Sequence, residues 1–238
     1  MVLLRYSGSN WLRQRLILST LSGRPIFVSN IRITPEGPEK HVGLRDYEAS
    51  LLRLLDKITR GSVVQINETG TALAYRPGVI TGGAHLVHEC PPSRGLGYFL
   101  EVLLALAPFG KKALSIVLRG TTNHPRDMSV DMIRSCTLHL VNSKFKISEE
   151  QAEEATLQVI RRGAYPLGGG EIKFTCPIVK RQLSPVQLTE EGMIKRIRGI
   201  AYVSVFFSIK QRVTLLCVFV CHCMREFVSL CLCDIVFS

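Results

Sequence analysis

The residues best suited to chemistry in this chain are arginines that stand beside turn-forming residues. Arg161-Arg-Gly-Ala-Tyr-Pro-Leu-Gly-Gly-Gly-Glu171 sets an arginine pair ahead of three consecutive glycines. Leu118-Arg-Gly-Thr-Thr-Asn-His-Pro-Arg-Asp-Met-Ser129 places Arg119, Asn123 and Arg126 in a second turn-rich stretch. A guanidinium donates two parallel hydrogen bonds to a phosphate, so Arg161, Arg162, Arg119 and Arg126 are candidates for holding a polyanion. Lys195-Arg196-Ile-Arg198 is the other basic cluster. The triple glycine itself does not read as a nucleotide loop. Such a loop must open a helix, whereas Ile172, Phe174, Cys176 and Ile178 alternate with polar residues in the manner of a strand. The local expectation is therefore a hairpin turn.

Metal and nucleophile chemistry find less support. His85, His88, Glu89 and Cys90 lie close in sequence, but no second Cys/His pair near them completes a four-ligand site, and a strand end with surface histidines is the expectation. Cys217, Cys221, His222 and Cys223 lack the Cys-x-x-Cys spacing and sit among apolar residues. Neither a metal nor a cofactor is expected. Thirty Lys and Arg against 19 Asp and Glu give a formal net charge of +11, which favours a polyanionic partner such as RNA. The first residues are too polar for a secretory signal, and Cys90, Cys136 and Cys176 are the only cysteines before Tyr202, so a reducing, intracellular setting is expected.

The elements that must position these residues come in two similar series. Asn10 is expected to cap a helix through Trp11, Leu12, Leu16, Ile17 and Leu21 that stops at Gly23; a strand Ile26–Ile33, a helix from Leu44 to Ile58, and strands Val63–Asn67 and Ala72–Arg76 follow. The order then recurs: helix Leu96–Leu106, strand Leu114–Leu118, helix Val130–Val141 entered near Ser129, and a hairpin from Thr156–Arg161 through the glycines to Glu171–Ile178. This pattern predicts an α+β fold with helices packed on one face of mixed sheets. Arg119, Asn123 and Arg126 then leave a strand's carboxyl end and approach a helix's amino end, where anions are favoured. After Tyr202 the chain turns apolar, yet Lys210, Arg212, Arg225, Glu226 and Asp234 interrupt it too often for a membrane span of roughly 20 residues.

Arg13-x-x-Leu-x-Leu-Ser-x-x-x-Gly-x-Pro25, Gly43-Leu-Arg-Asp-Tyr-Glu-Ala49, Tyr75-Arg-Pro-Gly-Val79, Arg94-Gly-Leu-Gly-Tyr-Phe-Leu-Glu101, Arg119-Gly-Thr-Thr-Asn123, Arg161-Arg-Gly-x-x-Pro-x-Gly-Gly-Gly-Glu171 and Lys195-Arg-Ile-Arg-Gly-x-Ala-Tyr202 occur in order. Together they resemble the RNA 3′-terminal phosphate cyclases, and within that family its eukaryotic cyclase-like branch. The resemblance implies tandem βαβαββ repeats like the C-terminal domain of bacterial translation initiation factor three. It places a first repeat at 1–82, a second at 83–183, the start of an inserted domain at 184–202, and an apolar Cys-rich tail foreign to the family at 203–238, as an alternative transcript would give. It also implies that Arg13, Arg32 and Asn123 match polar active-site positions, and Arg45 adjoins another. The early glycine-rich loop is replaced by Tyr6-Ser-Gly-Ser-Asn10, and a Gln-His pair by Asp46-Tyr47. The family's nucleophilic histidine belongs to a third repeat beyond these two. The expectation is thus a non-catalytic protein of nucleolar small-subunit pre-rRNA processing, with RNA and a nucleolar GTPase as partners. The rival expectations are an RNA-processing enzyme, either cyclase or pre-rRNA endonuclease, and a non-functional truncated isoform.

Overall fold

The structure, a computed structural model, describes residues 2–34, 42–143, 154–180, 183, 185–187, 189, 199–200 and 235–236. Two series of elements follow one another. The first is β1 (Leu4–Ser7), α1 (Leu12–Ser22), β2 (Ile26–Ser29), α2 (Asp46–Ile58), a short β3 (Thr59–Arg60), β4 (Val63–Ile66) and β5 (Leu73–Arg76). After β6 (Val79–Ile80) come β7 (Gly83–Glu89), α3 (Leu96–Leu106) and β8 (Leu114–Gly120). A helical stretch then runs through α4 (Val130–Met132), a π-helical turn (Ile133–Thr137) and α5 (Leu138–Ser143), followed by β9 (Thr156–Arg161) and β10 (Gly170–Cys176).

Setting β3 and β6 aside, each series is βαβαββ and each builds a four-stranded sheet in the same order: β1-β2-β5-β4 and β7-β8-β10-β9. The first two strands pair in parallel and the remaining pairs are antiparallel, so both sheets are mixed. Alternation does the sorting. Ile26, Val28, Leu73 and Tyr75 point into the core from the first sheet, and Leu114, Ile116, Leu118, Ile172, Phe174 and Cys176 from the second. Helix α3 is apolar almost all round and buries Leu96, Phe99, Leu100, Val102, Leu103 and Leu106, each worth about 1.5–3 kcal/mol relative to exposure. One hydrophobic cluster runs through both series.

Several sequence expectations change. Asn10 does not cap α1: Trp11 occupies that position in a left-handed conformation (φ 58°) with no side-chain cap, because the turn before it is closed by the Leu12 amide on the Ser9 carbonyl. The helix does stop at Gly23, which is left-handed as a C-cap requires. Strand β2 ends at Ser29 rather than Ile33, since Asn30 and Arg32 both take positive φ and leave the extended region. Ser129 caps the α4 stretch, its hydroxyl accepting the Met132 amide at 3.1 Å. His85 is exposed, but His88 is only 3% exposed and hydrogen-bonds Ser50 Oγ through Nε2 at 3.0 Å, so the expected surface pair is half wrong. From Leu86 onward the strand alternates, and position 88 is an inward one.

By its contacts the chain divides into Met1–Val186 and Gln187–Ser238. In the latter, β11 (Gly199–Ile200) pairs in parallel with β12 (Ile235–Val236). Lys195, Arg196 and Arg198, the Cys217–Cys223 group, and most of the 184–202 and 203–238 segments lie outside the described residues. Among the described residues no helix is long and apolar enough to cross a membrane.

Candidate nucleic-acid interface

The arginines fall into two neighbouring groups. In the seam between α1, α2 and α3, Arg13 meets Glu101 at 2.5 Å, donates to the Tyr98 carbonyl at 3.3 Å and lies over the Tyr98 ring at 4.7 Å. Arg32 forks onto the buried Glu48 carboxylate at 2.7 and 2.6 Å and also reaches the Gly43 carbonyl at 3.1 Å. These hydrogen bonds to Glu48 raise the Arg32 pKa further. Arg45 stands just before α2, where its amide donates to Glu48 Oε2 at 2.9 Å. A buried carboxylate is tolerated only when paired in this way.

Arg94, which the sequence reading did not single out as a site residue, ties the seam to the next loop. Its guanidinium lies 4.9 Å from the Tyr47 ring and 4.4 Å from the Tyr98 ring, and its Nε donates to both Asp127 oxygens at 3.0 and 2.9 Å. The Gly95 amide donates to Asp127 Oδ2 at 2.7 Å. Burial alone would raise the Asp127 carboxyl, but the hydrogen bonds from Arg94 and Gly95 outweigh it and hold the group below its ordinary value. Only the 33-residue separation of Arg94 and Asp127 hid the pair; no periodic pattern links positions so far apart.

The second group is carried by two loops past the sheet, residues 121–129 after β8 and 162–169 between β9 and β10. They are bound to each other through Thr122, whose amide and hydroxyl both donate to the Gly163 carbonyl at 2.9 Å. Asn123 bridges to Ala164, and the Gly168 amide closes on the Ala164 carbonyl at 2.9 Å. Gly168 and Gly169 have φ of 68° and 78°, a backbone that side-chain-bearing residues rarely take, so the triple glycine is a hairpin turn as expected. Asn123 Oδ1 and Thr121 Oγ1 are buried with no partner among the described residues.

The arginine pair divides. Arg162 turns to Asp131 at 2.7 and 3.1 Å, whereas Arg161 faces a cleft of about 480 Å³ lined by Glu89, Arg119, Leu167, Gly168 and Glu171 among others. Across the second sheet, Glu89, Arg119, Glu171 and Arg161 sit on successive strands in one row. Arg119 contacts Glu89 at 3.1 Å and Glu171 at 3.4 Å. Arg161 and the exposed Arg126 have no carboxylate within ion-pairing distance among the described residues. Cys90 also lines the cleft, but burial pushes its thiol pKa up, which makes it a poor nucleophile. No group of His, Cys, Asp and Glu among the described residues is arranged to hold a metal.

Paired βαβαββ sheets, the Arg-Gly-x-x-Pro-x-Gly-Gly-Gly hairpin and the arginine-rich loops agree with the match of residues 4–234 to the family model described as RNA 3′-terminal phosphate cyclase. The chain belongs to that family. It is 54% identical over 199 residues to the mouse and human proteins named RNA 3′-terminal phosphate cyclase-like protein, covering 84% of this chain and 51% of each relative. It is 44% identical over 197 residues to the fission yeast rRNA processing protein rcl1, covering 83% of this chain and 52% of that one. The chain thus spans about half the length of these relatives. The family match extends past Tyr202, where the quoted motifs end.

Proposed function

We propose that this chain is a non-catalytic, RNA-binding member of the cyclase family that acts in small-subunit pre-rRNA processing in the nucleolus. The observation that carries the reading is the fate of the arginines. Arg13, Arg32, Arg94 and Arg162 are committed to Glu101, Glu48, Asp127 and Asp131, which suits a scaffold better than a phosphate-activating centre. Arg126 and Arg161 remain exposed on a chain of net charge +11 and supply the attraction for an RNA backbone. The name of the fission yeast relative supports rRNA processing as the setting. A nucleolar GTPase is the protein partner proposed with it. Asn123, which matches one of the family's polar positions, bridges to Ala164 between the two loops and is the further residue proposed to lie near bound RNA.

Two assays test this. Titration of a fluorescent RNA at rising salt should show binding that weakens steeply, and a flat response would count against the basic surface. Incubation of a 3′-phosphorylated oligonucleotide with labelled ATP should give neither a cyclic end nor a labelled protein; an adenylylated chain would establish the enzyme instead. Recovery of a GTPase from nuclear extract on the tagged chain tests the partner.

A further inference from the structure

Tyr165 is a large aromatic residue left 59% exposed in the loop that lends Leu167 and Gly168 to the cleft, and Leu167, two residues on, is 69% exposed. Scattered apolar residues on a surface need no explanation. This one is built in. The ring forms a T-shaped pair with His124, centroids 5.5 Å apart and planes at 85°. The His124 side chain is itself buried, accepts the Arg126 amide on Nδ1 at 3.2 Å, and lies 3.7 Å from Asp127. Asp127 is in turn locked by Arg94 and Gly95. A chain of fixed contacts therefore reaches from the helix seam to the back of an exposed ring.

The charges around the ring point to its occupant. Arg126 follows two residues after His124 and donates its amide to that ring, and Arg161 lies with Leu167 and Gly168 of the same hairpin loop as Tyr165 in the cleft. Both guanidiniums are without a carboxylate partner among the described residues, while the acids nearby are already taken: Asp127 by Arg94, Asp131 by Arg162, and Glu89 and Glu171 by Arg119. An exposed aromatic ring on loops that also carry exposed arginines is complementary to a single-stranded nucleic acid, whose bases stack and whose phosphates alternate with them. A flat ring already held in place also loses little freedom on binding.

We propose that Tyr165 is a stacking platform for one unpaired base of RNA, with Arg126 and Arg161 holding the phosphates on either side. The assignment rests on the RNA-binding reading above and adds to it a strand type and a contact residue. A duplex, whose bases are already stacked, does not use the ring.

The test is made on the full chain with a fluorescent oligouridylate and with a duplex RNA of equal length. Tyr165→Ala should weaken the oligouridylate about fivefold to a hundredfold and leave the duplex unchanged, while Tyr165→Phe keeps the wild-type affinity. A 5-iodouridine in the strand should crosslink to the peptide that contains Tyr165. Equal oligouridylate affinity for wild type and Tyr165→Ala, or crosslinks confined to other peptides, would overturn the platform while leaving RNA binding intact. Absence of salt-dependent binding to either RNA would overturn the RNA reading and this inference with it. Tighter binding of an acidic peptide than of the oligouridylate, lost in Tyr165→Ala, would assign the surface to a protein instead.

Discussion

Arginine is the residue type that carries this molecule, and its two uses are set by what stands within hydrogen-bonding reach. Arg94 uses both its fork and its charge: Asp127 along the edge, and the Tyr47 and Tyr98 rings beneath the guanidinium. Lysine has the charge but neither the fork nor the flat face. Arg94→Lys should therefore lose about 1–3 kcal/mol in urea unfolding, whereas Arg126→Ala should stay within roughly 0.5 kcal/mol of wild type. Comparable losses in both would mean that the seam is not held as described. His88 gives a pH prediction. Burial, aided by nearby Lys57, lowers its pKa from 6.5 to about 4. Below pH 6.5 the unfolded chain takes up a proton that the folded chain refuses, so stability falls as the pH drops from 6.5 to about 4, by on the order of 3 kcal/mol. His124, also lowered by burial, adds to the same slope. His88→Gln should flatten the curve in that window, and an unchanged slope would remove His88 as its source.

At the scale of elements, the sequence pattern was a good guide where it had length or punctuation. Helix α2 is long and periodic, α3 is a largely apolar run of helical length, and the β9–β10 hairpin is marked by its glycines. Strands β1 and β7 were implied by the family resemblance and not by alternation. β1 has four residues, and β7 puts His88 inward and exposes Val87, against the apolar-in rule. A histidine can fill that place because Ser50 on α2, an element of the other series, supplies its hydrogen bond. Helix α2 also guards the β7 edge, Lys57 Nζ donating to the Val87 carbonyl at 2.7 Å. Gly97 shows a contact that no propensity foretells. Glycine inside a helix is unfavourable by about 1 kcal/mol relative to alanine, yet a Cβ at Gly97 would run into the Met128 carbonyl of the adjoining loop. Gly97→Ala should destabilise by about 1–3 kcal/mol and lower the melting temperature, despite the better helix former. A rise in melting temperature would show that the loop yields.

For the whole molecule, the relevant quantity is how the charge of +11 is spread between internal pairs and open surface. Each phosphate contact to a single strand contributes about 0.7 to the slope of log affinity against log salt, so Arg126→Ala with Arg161→Ala should reduce the slope by about 1.4. The double variant should bind every RNA sequence more weakly by a similar factor, because phosphate contacts carry no sequence information. An unaltered slope would place the electrostatic contacts elsewhere on the chain. The core that runs through both βαβαββ series makes them one folding unit, so variants in the α1–α2–α3 seam should unfold both sheets in a single transition.

Local order and membership were legible in the amino acids alone. Apolar spacing gave the helices and most strands, glycines gave the turns, and motifs in fixed order gave the family, because each of these signals lies within a few residues or survives as a string. The candidate arginines were legible as a set, but their roles were not. Neighbours Arg161 and Arg162 are alike in sequence, yet Arg161 ends β9 and faces the cleft while Arg162 opens the loop after it and meets Asp131. Arg94 and Asp127, Ser50 and His88, and Tyr165 on His124 are likewise partners only once the chain has folded. Pairing energy depends on distance and exposure in space, and a sequence fixes neither until the sheets and helices bring remote residues together.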